Sequence, residues 1–189
     1  MNKKSWIGIG IIFLGALFVI VKLVILSDDN KDKTNQNNSI NINDNSIVNS
    51  EENEINWDEI TEDGVNEELL LNNLDKDILE KVAKNFQDAL DEELKEEKNN
   101  PEIVITEGWT RIFDKVQYKE VINIGKPAMK PLYYILYKSS NNGQYEYLCA
   151  TALQEISGIT FKNEDDGTMG WSTAKEYLEL FTKEIIKQK

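Results

Sequence analysis

The feature that most constrains this chain is an apolar stretch near its start, at residues 6–26. It holds 21 residues and a single charge, Lys22. An α-helix of that length measures about 30 Å, the thickness of the hydrocarbon core of a bilayer. Lys22 lies one turn from the far end, where a lysine side chain can extend to the interface. The stretch therefore predicts that residues 1–27 form a single transmembrane helix that anchors the chain in the membrane.

The residues around this stretch predict its orientation and indicate whether it is cleaved. Lys3 and Lys4 precede it, and basic residues favour the cytoplasmic side, so we expect everything after residue 27 to lie outside the cell. A cleaved signal peptide is the alternative, but its apolar core would be shorter, and the best cleavage point has the bulky Ile25 three residues before the cut. A lipoprotein signal needs a cysteine directly after the stretch, and the only cysteine is Cys149.

Residues 28–55 have the composition of a linker. Asparagine, aspartate, serine and lysine alternate there with isolated isoleucines, and the segment contains no aromatic residue. Such a segment cannot bury enough apolar area to offset the loss of chain entropy on folding. A flexible coil of this length has a root-mean-square reach of roughly 30 Å, so we expect it to hold a folded domain close to the membrane.

Charge and composition exclude several classes of function. Three of the 21 basic residues and none of the 34 acidic ones precede residue 28, which leaves a formal charge of −16 on the exterior part. Nucleic acid is therefore a poor partner, because its binding requires clustered Lys and Arg. The chain has no histidine, and so lacks the commonest general base and the commonest transition-metal ligand. A single cysteine rules out an intramolecular disulfide.

Helical periodicity begins after the linker. Asp75 is the predicted N-cap of a long amphipathic helix that ends near Pro101, and residues 67–74 predict a shorter helical turn before it. We expect Trp57 to pack back on that turn. The apolar stripe of the long helix recurs every four residues and consists of Ile78, Val82, Phe86, Leu90 and Leu94.

A second unit is predicted from about residue 107. Gly125 is the expected residue with positive φ at the end of its first helix. Residues 103–105 are the only possible strand, and a lone strand would find no partner. The side chains that fit one face of this first helix are Trp109, Ile112, Phe113 and Val116.

Prolines and glycines set the boundaries of the remaining helices. Pro127 opens the next helix, and Pro131 either bends it early or marks its true start. Gly158 closes the following helix, and Ser172 is the predicted N-cap of the last one. Residues 56–189 are therefore predicted to form an all-α domain, a compact helical bundle with one core.

Two passages resemble helical repeats. Residues 121–132, VINIGKPAMKPL, are similar to the I-x-x-hydrophobic-G-x-P-A-hydrophobic-x-P-L passage of HEAT-like repeats, and residues 147–158 resemble the second helix of such a unit. The W-x-x-A passage from Trp171 resembles what often follows in bacterial members. The resemblance is to HEAT-like extracytoplasmic domains of membrane-anchored proteins of Gram-positive bacteria. It implies one HEAT-like hairpin at about residues 107–158, and helical repeats serve mainly as interaction surfaces.

A group of tyrosines lies on both sides of one predicted loop. Packing explains some of them, but their number exceeds what one apolar stripe can bury, and tyrosine suits interfaces because it combines large contact area with a polar group. We therefore expect one or two of them at a partner surface. The group consists of Tyr133, Tyr134, Tyr137, Tyr145 and Tyr147.

Other candidate sites have weaker patterns. The loop at residues 163–167 has three adjacent carboxylates, but the EF-hand spacing fails because Thr173 stands where a bidentate glutamate is needed. Cys149 lies on a core-facing stripe and is expected to be inert. We predict no catalytic residue, no cofactor and no metal site. The acids of the C-terminal unit that a glycoside-type hydrolase could use are Glu107, Asp114, Glu120, Glu146 and Glu155.

Two hypotheses for function follow. The first is a membrane-anchored, extracytoplasmic protein-interaction module without catalytic activity, with a protein partner in the envelope. The alternative is a small envelope-directed hydrolase that uses paired carboxylates, which would require two of them to converge at about 5–9.5 Å. The absence of a catalytic motif favours the first hypothesis.

Overall fold

The computed structural model describes residues 55–163 and 165–189. Helices dominate this part of the chain, as the all-α prediction expects, and one cluster of buried apolar side chains runs through it. The predicted anchor and nearly all of the predicted linker lie outside the described residues. Within the described ranges, no helix combines the length and apolar character that a membrane span requires.

A short antiparallel hairpin comes first. Strand β1 (Ile60–Thr61) pairs with strand β2 (Gly64–Val65), and Ile60 lies opposite Val65. Gly64 has a φ of 123°, which a residue without a side chain adopts readily. The expectation of a possible strand at residues 103–105 was wrong, since they form a helix. Strands of only two residues are too short for alternation of polar and apolar residues to reveal them.

Trp57, just before this hairpin, contacts two aromatic rings from later in the chain. Its ring makes edge-to-face contacts with Tyr133 and Phe181, at centroid distances of 5.4 and 5.5 Å. Trp57 is buried, and so it joins the N-terminal end of the described chain to the two later helices that carry Tyr133 and Phe181.

Two helices follow the hairpin. They are α1 (Glu67–Asn73) and α2 (Lys76–Asn99). The Asp75 side chain accepts a hydrogen bond from the Ile78 backbone N–H at 3.0 Å, which confirms Asp75 as the N-cap of α2.

The buried stripe of α2 changes near its C-terminal end. Leu94, predicted to belong to the stripe, is 45% exposed, and Glu93 is buried. The buried position accepts a carboxylate because Arg111 and Lys115 pair with it. A buried charge is tolerated only with such partners.

The second unit is divided into three short elements rather than one helix. They are α3 (Ile103–Glu107), a 3-10 helix (Trp109–Asp114) and α4 (Val116–Ile124). The predicted single helical face is therefore wrong: Lys115 is extended between the last two elements, and Val116 is exposed. Gly125 has a φ of 70°, as predicted for the residue that ends α4.

The following two helices form an antiparallel hairpin. They are α5 (Met129–Lys138) and α6 (Gln144–Ser157), and they contact each other more extensively than any other pair of described elements. Pro127 lies in a preceding 3-10 turn, and Pro131 is the third residue of α5, so the helix begins before it. Gly158 ends α6 in the left-handed conformation, as predicted.

The last helix, α7 (Ala174–Lys187), begins one residue later than predicted. Its N-cap is Thr173 and not Ser172: the Thr173 hydroxyl accepts from the Glu176 N–H, and the Glu176 carboxylate accepts from the Thr173 N–H at 3.0 Å. At the other end, the Lys189 ammonium donates to the Ile60 carbonyl at 2.6 Å. Helix α7 therefore runs from the residue 171 region to the N-terminal hairpin.

Candidate protein-binding surface

The structure separates the five tyrosines that were predicted to supply a partner surface. Tyr133, Tyr134 and Tyr145 are buried in the core. Tyr137 is 37% exposed and stacks on Tyr133, while Tyr147 is partly buried and contacts other aromatic residues. Only Tyr137 and Tyr147 can therefore contribute to a surface, and they make different contacts.

Burial fixes the chemical state of the inner tyrosines. Removal from water raises the pKa of Tyr145 well above its usual value, and burial raises the pKa of Tyr133 as well. The Tyr133 hydroxyl lies 3.0 Å from the Thr182 hydroxyl. These phenols stay neutral and act as structural side chains with polar partners.

Tyr147 belongs to a surface that we call the aromatic surface, made of Trp109, Phe113, Tyr147 and Met169. Trp109 contacts Tyr147 at a centroid distance of 5.2 Å and Phe113 at 5.7 Å, both edge to face. The Tyr147 hydroxyl donates to the Met169 sulfur at 3.5 Å. Trp109 is 40% exposed and Met169 is 45% exposed. Large apolar side chains that stay exposed side by side are typical of interaction sites.

Helix α3 extends the apolar character of this region. It precedes Trp109 directly, contacts the 3-10 helix, and has no buried residue. Ile105 is 85% exposed and Val104 is also exposed. Ile103 is only partly buried, so this helix gains little from its apolar side chains within the described fold.

Ion pairs beneath the aromatic surface hold Trp109 in place. Arg111, on the same 3-10 helix, pairs with Glu93 and with Glu96 of α2 and donates to the Gly108 carbonyl at 2.6 Å. Lys115 donates to Glu96 at 2.8 Å and to Glu92 at 3.0 Å. These charge-assisted contacts hold the 3-10 helix, which carries Trp109, against α2.

Glu93 is the carboxylate of this ion-pair cluster whose pKa is raised. Burial raises the pKa of Glu93, and the charges of Arg111 and Lys115 oppose that shift. A raised carboxylate pKa can mark a catalytic acid, but this carboxylate is enclosed by two cations on a helix face. We therefore interpret Glu93 as a structural partner of Arg111. Sequence reasoning missed it, although its place three residues after Leu90 put it on the buried stripe.

A tight loop presents Met169. Lys162 and Met169 form an isolated antiparallel bridge, and the Gly170 N–H donates to the Phe161 carbonyl at 2.9 Å. A Cβ atom on Gly170 would lie 3.0 Å from the carbonyl carbon of Phe161, closer than most Cβ atoms approach a neighbour. The glycine therefore permits the two limbs of the loop to approach each other.

The carboxylates of this loop support its turn. Asp166 accepts from the N–H and the hydroxyl of Thr168, and these hydrogen bonds lower the pKa of Asp166. Within the described ranges, which omit Glu164, no group of three His, Cys, Asp or Glu side chains is placed to hold a metal ion.

The other acids of the C-terminal unit are scattered. Glu146 is buried and accepts from the Ser139 hydroxyl at 2.6 Å and from the Gly143 N–H at 2.8 Å, so it caps its own helix. Glu155 accepts from the Tyr118 hydroxyl at 3.1 Å. Glu107, Asp114 and Glu120 are exposed, and Asp114 forms an ion pair with Lys119. Cys149 is fully buried, and burial raises the pKa of its thiol, so it is unreactive in the folded state.

The aromatic surface is one end of a longer chain of ring contacts. Tyr147 contacts Trp171 at 5.1 Å, Trp171 contacts Tyr177 at 5.1 Å, and Tyr177 contacts Phe181 at 5.9 Å. Phe181 in turn contacts Trp57. The rings follow α7 from its N-terminal end towards the hairpin, so they connect the aromatic surface to the point where the described chain begins.

Trp109 and Met169 were not predicted as surface residues. Trp109 was assigned to a buried helical face, and nothing in the neighbourhood of Met169 distinguished it. The sequence signal that could have indicated an exposed apolar surface was the apolar run at residues 103–105. It lies shortly before Gly108 and has no partner element in the prediction. Comparison of the chain with protein-family models, with curated proteins and with solved structures finds no match.

Proposed function

We propose that this chain is a membrane-anchored, extracytoplasmic protein-interaction module without catalytic activity, of the HEAT-like helical type. The observation that carries the proposal is the exposure of three large apolar side chains, those of Trp109, Met169 and Ile105. Tryptophan in particular is enriched among the residues that dominate binding energy. The apolar stretch at residues 6–26 and the linker that follows support its place outside the membrane.

The roles of the buried carboxylates support a non-catalytic function. Glu59 is fully buried and accepts from Lys130 at 2.5 Å and from Asn73 at 2.7 Å. Glu93 pairs with Arg111, and Glu146 caps its own helix. Each carboxylate has a structural partner close by. The hydrolase hypothesis needs a free pair of carboxylates facing a substrate, and these contacts give it no support.

Site-specific photocrosslinking in cells tests the proposal. A photoreactive amino acid replaces Thr110, which is exposed beside Trp109, and in a matched control it replaces Glu179, which is exposed on α7. We expect one discrete adduct with an envelope protein from position 110 and none from position 179. Adding Trp109→Ala should remove the adduct. Equal adducts from both positions, or an adduct that survives Trp109→Ala, would contradict the proposal.

A further inference from the structure

The partner of the aromatic surface can be specified from its charge. We propose that the surface binds a cationic segment of its protein partner, with a Lys or Arg side chain over the Trp109 ring and apolar residues on either side. This inference rests on the proposed function, since it names the chemistry of the partner at the same surface.

Trp109 has the properties of a cation-binding ring. It keeps 40% of its surface exposed while two rings meet it edge to face. The indole N–H makes no hydrogen bond with the described residues, so it can donate to a partner carbonyl. Among aromatic rings, tryptophan attracts a cation over its face most strongly, and Arg and Lys are the side chains that exploit this attraction.

Acidic groups outnumber free basic groups around the aromatic surface. Glu107, two residues before Trp109, is exposed and has no ion pair or hydrogen bond from its side chain to the described residues. Asp165 and Asp166 occupy the exposed turn of the loop that presents Met169, and the exposed Lys162 bridges to Met169 in the same loop. Arg111 and Lys115, by contrast, are bound to α2 carboxylates.

The charge of the whole domain also favours a cationic partner. Residues 55–189 carry a formal charge of −11. A field of that sign attracts a basic partner and orients it during encounter, and it repels acidic proteins and anionic lipid surfaces. We expect the apolar residues beside the cation of the partner to contact the exposed Val104 and Ile105 of α3.

The aromatic surface and the attachment point of the predicted linker lie at different ends of α7. Trp171, which contacts Tyr147, precedes the start of α7, and Lys189 after its end contacts Ile60 of the N-terminal hairpin. Because a flexible linker lets the domain turn, the acidic charge of the domain, and not this separation, disfavours an anionic lipid surface as the occupant.

The test uses the full chain in detergent micelles, labelled with 5-fluorotryptophan. The ¹⁹F resonance of Trp109 is assigned by its loss in Trp109→Phe. Three 12-residue peptides share the same apolar residues and differ only in having Arg, Gln or Glu at alternate positions. Chitotetraose and vesicles of phosphatidylglycerol serve as probes of the two other classes of occupant.

We expect the Arg peptide to shift the Trp109 resonance and to bind about tenfold more tightly than the Gln peptide. Affinity should fall as salt rises, and Glu107→Gln, which changes one exposed charge, should weaken it. Trp109→Ala should abolish binding. Asp88→Asn, which changes a partly exposed acid that pairs with Lys84 on α2, is the control and should leave affinity unchanged.

The remaining outcomes separate this inference from the proposed function. Equal binding of the Gln or Glu peptide at Trp109 would overturn the cationic partner and leave a protein-binding surface. A shift caused by chitotetraose or by vesicles, with none from peptides, would replace the partner by a glycan or a lipid. No shift from any probe overturns the cationic partner, and the photocrosslink at position 110 then decides whether the proposed function survives.

Discussion

The indole N–H of Trp171 donates to the side-chain oxygen of Gln154 at 2.9 Å. This bond joins α6 to the residues before α7, and the same indole ring packs against Tyr147. Trp171 is buried, so its N–H depends on this one partner. The aromatic surface is therefore supported by a hydrogen bond between α6 and the residues before α7, as well as by ring packing.

Gln154→Leu should destabilise the domain. It leaves the buried Trp171 N–H without an acceptor, which costs about 1–3 kcal/mol. Thermal unfolding followed by circular dichroism should show a melting temperature lower by several degrees. Gln144→Ala, at the exposed start of α6, is the matched control. Equal melting temperatures for Gln154→Leu and the unmutated chain would show that the hydrogen bond contributes nothing.

Gly125→Val should also lower stability, for a different reason. Nothing lies within 4 Å of a Cβ at this position, so the cost comes from a β-branched residue at a φ of 70°. Strain of this kind amounts to about 1–3 kcal/mol. Gly143 has a φ of −91°, so Gly143→Val should be milder, although its Cβ would lie 3.2 Å from the Glu146 carboxylate. A larger loss for Gly143→Val in a denaturant titration would contradict this ranking.

Gly170→Ala should open the loop that presents Met169. The added methyl group would meet the backbone of Phe161 at 3.0 Å and of Lys162 at 3.1 Å, so one limb must move. Hydrogen exchange at the Gly170 and Asn163 amides should become faster, because both donate across the loop. Thr160→Ala, just outside the loop, should leave both rates unchanged. Unchanged exchange in Gly170→Ala is the result that refutes the close approach.

Glu93→Gln should change how stability depends on pH. The pKa of Glu93 is raised in the folded state, so the folded state binds this proton more readily than the unfolded state does. The contribution of Glu93 to stability is therefore complete below the unfolded pKa of about 4.3 and is lost as pH rises through the folded pKa.

The measurement is the free energy of unfolding from pH 4 to pH 7.5, for the unmutated chain and for Glu93→Gln. The difference, unmutated minus variant, should increase as pH falls. Glu97→Gln, an exposed change on the same helix, should give a smaller pH-dependent difference. A Glu93→Gln difference that is constant across this range, or that decreases on acidification, contradicts the assigned environment.

The orientation of the chain can be checked by labelling introduced cysteines, because the chain has only one cysteine of its own. Cys149 is fully buried and should not react with a membrane-impermeant maleimide. In intact cells, Thr160→Cys should be labelled because position 160 is exposed on the domain that we propose lies outside. Asn2→Cys should be labelled only after the cells are permeabilised. Labelling of Asn2→Cys alone in intact cells would reverse the proposed topology.

Local signals in the sequence were enough to place many helix boundaries. The cap at Asp75 and the end at Gly158 depend on residues within one turn of the chain, and both were predicted. The N-cap at Thr173 was missed by one residue because Ser172 has equivalent chemistry, and only the exchange of hydrogen bonds with Glu176 distinguishes them.

The candidate surface was harder to predict, because it depends on contacts between distant parts of the chain. Trp109 and Tyr147 meet across two elements, and Trp109 alone fits an apolar helical face. The spacing from Leu90 puts Glu93 on the buried stripe, but the pairing with Arg111 that makes a carboxylate acceptable there involves another element, which no periodicity within α2 can show. The number of tyrosines suggested an interface, but contacts with distant elements decide their burial: Tyr133 contacts Trp57 and Phe181, and Tyr145 contacts Phe86 of α2.

The placement of α7 has a mechanical consequence. If the domain is tethered at its N-terminal side and holds a partner at Trp109, a pulling force enters near Trp57 and leaves at the opposite end of α7. The force is then directed along the helix and its row of aromatic rings, and it is distributed over many contacts. The first part to yield should be the two-residue strand pair, since β1 joins β2 through few hydrogen bonds and lies nearest the tether. Under tension the domain would lengthen there while the aromatic surface kept its shape.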